Sequence, residues 1–158
     1  MKDLGRADLL LGIKILPKKC GFSLSQEHSI ANIAETFNLI YLALAKTPPK
    51  PGLKLTKASE AEVRAFRNLG LNYRSIIGAL NYISTKTRPD IAFAISHLSK
   101  FPEPPSLNHW VASLQALFYL YHTRKITLKY YNKGKSNIIT YSDLDLGNLL
   151  INRRSIGG

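Results

Sequence analysis

Residues 73–101 read YRSIIGALNYISTKTRPDIAFAISHLSKF, and this stretch decides the fold. Its first half places Tyr73, Ile76, Ile77, Leu80 and Ile83 at three- and four-residue steps, the spacing of one apolar helix face. That helix is predicted to end near Thr85, because Pro89 disfavours helical backbone before it. The second half opens on Thr87-Arg88-Pro89-Asp90, which reads as a helix start. Thr87 is the expected N-cap, Pro89 sits in the first turn, and Asp90 takes the third helical position. The apolar stripe that follows is Ile91, Ala94, Ile95 and Leu98, and FPEPP at 101–105 ends it. Two amphipathic helices joined at a proline turn must bury their stripes against something.

The adjoining sequence supplies the partners. Residues 107–122 carry Trp110, Val111, Leu114, Leu117, Phe118 and Tyr121, the broad apolar face of a third helix. On the other side, KTPPKPGLKLTK at 46–57 holds three prolines and a glycine, which forbid a helix interior and predict an extended tether. Further out, LLLGIKIL at 9–16 and GFSLSQ at 21–26 read as the strands of a hairpin turning over 17–21. Ser25 can cap a helix over about 26–37, with Ile30, Ile33, Ala34 and Phe37 on one face. After the third helix the period changes. ITLKY at 126–130 and NIITY at 137–141 are predicted strands around a turn with Gly134, the second leading into Ser142-Asp143-Leu144-Asp145.

The chain has 158 residues, 22 of them basic and 10 acidic, for a net charge of +12; 45% hydrophobic content argues for a folded domain over disorder. One cysteine, Cys20, excludes a disulfide framework, and His28, His97, His109 and His122 lack zinc-ligand spacing. No apolar run reaches the roughly 20 residues of a membrane span, and the N-terminus is a poor signal peptide. The expectation is an intracellular chain, not secreted and with no membrane partner. Charge is uneven along it. No acidic residue lies between Glu103 and Asp143, whereas Arg124, Lys125, Lys129, Lys133 and Lys135 do. Such a stripe attracts phosphate backbones without sequence preference. Arg88 in the proline turn is a further candidate phosphate contact, and Tyr130 and Tyr131 could stack on bases.

These blocks together resemble the Pol polyproteins of copia-type LTR retrotransposons. Residues 73–101 are similar to that family's YRS-x-IG-x-L-x-YL, TRPDI-x-FAV and LS-x-F series. MKDLGRADLLLGIKI resembles its MKDLG…FLGI hairpin, GFSLSQ its G-x-x-LSQ, and KTPPKPGLKLTK its TP-rich tether. The segment from Pro105 through His109 and Trp110 to Thr123 resembles its P…HW…RYLKGT helix. YSDLDLGN and RRSIGG resemble the YSDADWAG and RRSTSG blocks that open the ribonuclease H domain. These blocks, in the family's order, cover nearly the whole chain.

The resemblance implies an α+β piece of a reverse transcriptase. Residues 1–45 would be the end of the palm, a β-hairpin plus helix, and 46–60 an extended Pro-rich tether. Residues 61–125 would be a bundle of about three thumb-like helices, and 126–158 the start of ribonuclease H, two strands of an incomplete sheet. Polymerase chemistry needs paired metal-binding carboxylates, and no Asp-Asp pair occurs here. The first ribonuclease H aspartate of the family falls on Asp143, with Asp145 as its only candidate companion, since no acid follows. No cofactor is therefore expected for these residues alone, although magnesium is implied for the intact family. The family's basic thumb positions correspond here to Leu114, Gln115, Phe118 and Tyr121, which weakens a phosphate grip. The expected partner is an RNA–DNA hybrid or other nucleic acid, held weakly and non-specifically. The incomplete sheet could also self-associate. The alternative is an interaction module using the apolar thumb-helix surface.

Overall fold

A computed structural model describes residues 5, 7–37, 45–49, 55–101, 105–132, 144–145 and 156–157. The described chain is α+β, with five α-helices and a four-stranded antiparallel sheet in the order β1-β2-β3-β4. The strands are β1 (Leu9–Leu10), β2 (Ile13–Lys18), β3 (Gly21–Ser25) and β4 (Leu128–Tyr131). The helices are α1 (Glu27–Thr36), α2 (Glu60–Asn68), α3 (Tyr73–Lys86), α4 (Ala92–Leu98) and α5 (Leu107–His122). A separate short pair, β5 (Leu144–Asp145) and β6 (Ile156–Gly157), is antiparallel.

The helical stripes close on one another as their spacing requires. Ile76, Leu80 and Ile83 of α3, Ile91 and Ile95 beside and in α4, and Ala116, Leu117 and Leu120 of α5 are all fully buried. Ile30 and Ala34 of α1 and Phe66 of α2 join the same core. Burying each large apolar side chain contributes about 1.5–3 kcal/mol, so this cluster carries the fold. Val111, expected on the apolar face of α5, points outward.

Four local expectations are corrected. The single strand read over 9–16 is two, because Leu11 (φ 50°) and Gly12 (φ 76°) form a two-residue turn that pairs Leu10 with Ile13. Tyr82 Oη and Ser29 Oγ donate to the Leu11 and Gly12 carbonyls at 2.6 and 2.9 Å and fix that turn. Pro17 lies within β2, opposite Phe22, so the following turn shrinks to Lys19 and Cys20.

The TRPD segment is not a capped helix start. Thr87 ends α3, and its hydroxyl donates to Gln26 Oε1 at 2.7 Å, while Pro89–Ile91 form a single 3₁₀ turn before α4. Helix α2 falls in the region expected to be helical from residue 61, but it was not read as a separate helix. Its signal was there: Ser59 and Glu62 form a reciprocal capping box, with Ser59 N donating to Glu62 Oε2 at 2.8 Å.

A further difference concerns topology. The strand read as the opening of a ribonuclease H sheet is β4, and it pairs antiparallel with β3 of the N-terminal hairpin. Gly21 permits this approach: its φ is 141°, and a Cβ there would run into the Tyr130 carbonyl. The strand expected over 137–141 lies outside the described residues.

Candidate nucleic-acid interface

The register of the sheet decides which side chains share a side, because directly opposed residues point the same way and the direction alternates along each strand. Lys14 opposes Ser25, Leu16 and Lys129 flank Ser23, and Lys18 and Tyr131 flank Gly21. Lys14, Lys18 and Lys129 therefore leave the same side of the sheet, all three exposed, around the buried Ser23 and Ser25. No acidic residue occurs in β1–β4. The opposite side carries Ile15, Pro17, Phe22, Leu24, Leu128 and Tyr130, with Phe22 and Tyr130 stacked at 4.9 Å.

Lys14 and Lys18 were not among the residues expected from sequence. Period-two alternation within Ile13–Lys18 already put them on one side. Their proximity to Lys129 depends on the β3–β4 pairing, which no local pattern announces.

The expected contacts divide. Lys125, just past α5, and Lys129 are exposed. Arg124 is half-buried: its guanidinium lies 4.4 Å from the Tyr121 ring centroid, donates to the Tyr121 carbonyl at 2.9 Å and stands 4.0 Å from Glu27. Lys133, Lys135 and Asp143 lie outside the described residues. Asp145 is placed only by its backbone, opposite Ile156. Among the described residues no three His, Cys, Asp or Glu side chains come together as metal ligands.

Arg88 is a correction. It is 1% exposed, and its guanidinium donates to both carboxylate oxygens of Asp90, at 2.9 and 2.7 Å. Two further bonds reach the Thr123 carbonyl (3.1 Å) and hydroxyl (2.7 Å), and Tyr119 Oη donates to Asp90 at 3.0 Å. So buried and so engaged, Arg88 does not present its guanidinium to solvent. Arg88 instead ties the turn between α3 and α4 to the end of α5. Burial alone would raise the Asp90 pKa, but the bonds and charge of Arg88, with Tyr119, outweigh it and hold the carboxyl below its usual range.

Comparison with known proteins gives these elements a source. Over its full length the chain is 36% identical to the retrovirus-related Pol polyprotein of transposon TNT 1-94 from Nicotiana tabacum, of which it spans 12%. It is 32% identical, again over its full length, to a putative transposon Ty5-1 protein of Saccharomyces cerevisiae, of which it spans 50%. Over 54% of its length it is 37% identical to secreted RxLR effector protein 161 of Plasmopara viticola, covering 61% of that protein. No family model and no solved structure matches. Most of these relatives are named as transposon proteins, and the chain spans at most about half the length of the first two. More narrowly, several of the relatives are Pol polyproteins of copia-type retrotransposons, and the chain is similar to one segment of each. Among the described residues no helix is long and apolar enough to cross a membrane.

Proposed function

We propose that this retrotransposon-derived chain is the segment of a reverse transcriptase between the palm and ribonuclease H, and that it binds nucleic acid weakly and without sequence preference. The observation that supports this best is the common side of Lys14, Lys18 and Lys129, in strands free of acidic residues. Lys125 is also exposed, Arg124 adds the part its contacts leave over, and Lys133 and Lys135 follow β4 in sequence. An RNA–DNA hybrid is the proposed ligand, held through phosphates rather than base edges. These 158 residues hold no Asp-Asp pair and no acid after Asp145, so neither polymerase nor ribonuclease H chemistry is assigned to them alone. The magnesium implied for the intact family would need carboxylates from elsewhere in a polyprotein.

A fluorescence titration with labelled hybrid at several salt concentrations tests the reading. Affinity on the order of 10⁻⁴–10⁻⁶ M near physiological salt, falling steeply as salt rises, is expected. Absence of binding at low salt, or tight sequence-selective binding, overturns it. A second reading, an interaction module, draws on the exposed Phe93, Leu107 and Val111 of α4 and α5. Salt-independent capture of a protein partner, with no hybrid binding, would favour that one.

A further inference from the structure

His109 occupies the third position of α5, where a capping box ordinarily carries Glu or Gln. Its Nδ1 accepts the Ser106 backbone N–H at 3.0 Å and lies 2.7 Å from the Ser106 hydroxyl. An accepting Nδ1 leaves the ring hydrogen of the neutral form on Nε2. That nitrogen is buried and has no hydrogen-bond partner among the described residues. The residue is 1% exposed, with the Phe101 ring 4.6 Å away and Tyr73 6.4 Å away, both centroid to centroid.

The Ser106 backbone N–H and the burial favour the neutral ring. A proton on Nδ1 would set one donor against another at Ser106. It would also place a positive charge at the positive end of α5, in a buried setting. The next residue is Trp110, which packs edge-on to Phe37 of the α1 end and near Phe66 of α2. Release of the cap therefore reaches the joint between three helices. We propose that Ser106 and His109 form an acid-sensitive latch: protonation of His109 frees the N-terminus of α5 and loosens Trp110 from the core.

The groups facing the ring are few. Glu62 of α2 favours the charged form, but its carboxylate already accepts from Ser59; His97 of α4, itself near Lys100, opposes it. Tyr73 of α3 is neutral and donates to the Leu98 carbonyl at 3.0 Å. Burial is the leading cause that holds His109 below the ordinary histidine range, with Glu62 working against it. A folded pKa below the unfolded value of about 6.5 means that the latch is intact above that pH and is lost as pH falls.

The test is thermal unfolding of the full chain from pH 7.5 to 5, for wild type, His109→Gln and His97→Gln. Glutamine can accept from Ser106 N–H and does not titrate. The wild-type midpoint should drop by roughly 3–6 °C. His97→Gln should keep most of that drop and His109→Gln should lose most of it. Equal drops in wild type and His109→Gln would overturn the latch. Should His109→Gln fail to fold, ring-proton NMR of the wild type decides. Titration at or above about pH 6.5, or a Ser106 amide as protected at pH 5 as at pH 7.5, rejects the proposal.

Discussion

The helical region and the sheet are held by different means. In α3, α4 and α5 the side chains do the holding: Ile76, Leu80, Ile83, Ile95, Leu117 and Leu120 are sealed from water. In the sheet the only buried side chains are Ser23 and Ser25, while Leu9, Leu10, Phe22, Tyr130 and Tyr131 are exposed. Pairing of backbone, and a glycine that allows it, therefore carry the sheet. The helical region gains stability from burial, whereas much of the sheet's side-chain surface faces solvent. The proposed nucleic-acid surface lies on the strands, and the buried core lies among the helices.

Removing Arg88 should hurt most, because it strands Asp90 and the Thr123 carbonyl at a half-buried joint. Arg88→Ala is expected to lose about 3 kcal/mol in urea unfolding, with hybrid binding unchanged in the folded fraction. The depressed Asp90 pKa gives this joint a pH signature. Its contribution is present above the unfolded carboxylate value of about 4 and is lost as pH falls through the lower folded value, so the variant should lack that acid limb. An unchanged midpoint would mean that Arg88 is not a structural tie.

Gly21→Ala attacks the other region. The Cβ meets the Tyr130 carbonyl, and the φ of 141° is strained for any side chain, so a loss of about 1–3 kcal/mol is expected. Amide exchange should accelerate in β3 and β4 and stay slow in α3 and α5. If exchange accelerates throughout, the two regions are one cooperative unit and the comparison fails. Ser59→Ala should cost about 1 kcal/mol by removing the α2 cap, seen as a lower thermal midpoint. Smallest in stability is Lys14→Ala with Lys18→Ala, expected within about 0.5 kcal/mol of wild type. The same pair should shallow the salt slope of hybrid binding by about 1.8, and an unaltered slope would move recognition off the sheet.

The helices were legible because their evidence is local. Ile91, Ala94, Ile95 and Leu98 declare a face within eight residues, and all four are buried. The sheet was legible only in part. Register between Lys129 and Ser23 depends on chain segments far apart, and no window of sequence contains both. Arg88 was misread for a related reason: charge suggests a solvent partner, whereas Asp90, Tyr119 and Thr123 converge on it only after α5 folds back. Helix α2 was not read as a separate helix although Ser59 and Glu62 spell its start, because Val63 and Phe66 are the only large apolar residues in its nine.

The pairing of Gly21 with Tyr131 closes a loop of more than a hundred residues. A contact of that span forms late, since its closure entropy must be met before it returns anything. During synthesis the N-terminal hairpin leaves the ribosome well before its fourth strand exists, and for that interval β3 offers an open edge. The helices, whose contacts are closer in sequence, can condense meanwhile. Pulse-labelled exchange during refolding should then protect α3 and α5 before β4. The order of assembly thus ends with the strand that brings Lys129 beside the hairpin, so the basic surface is completed last.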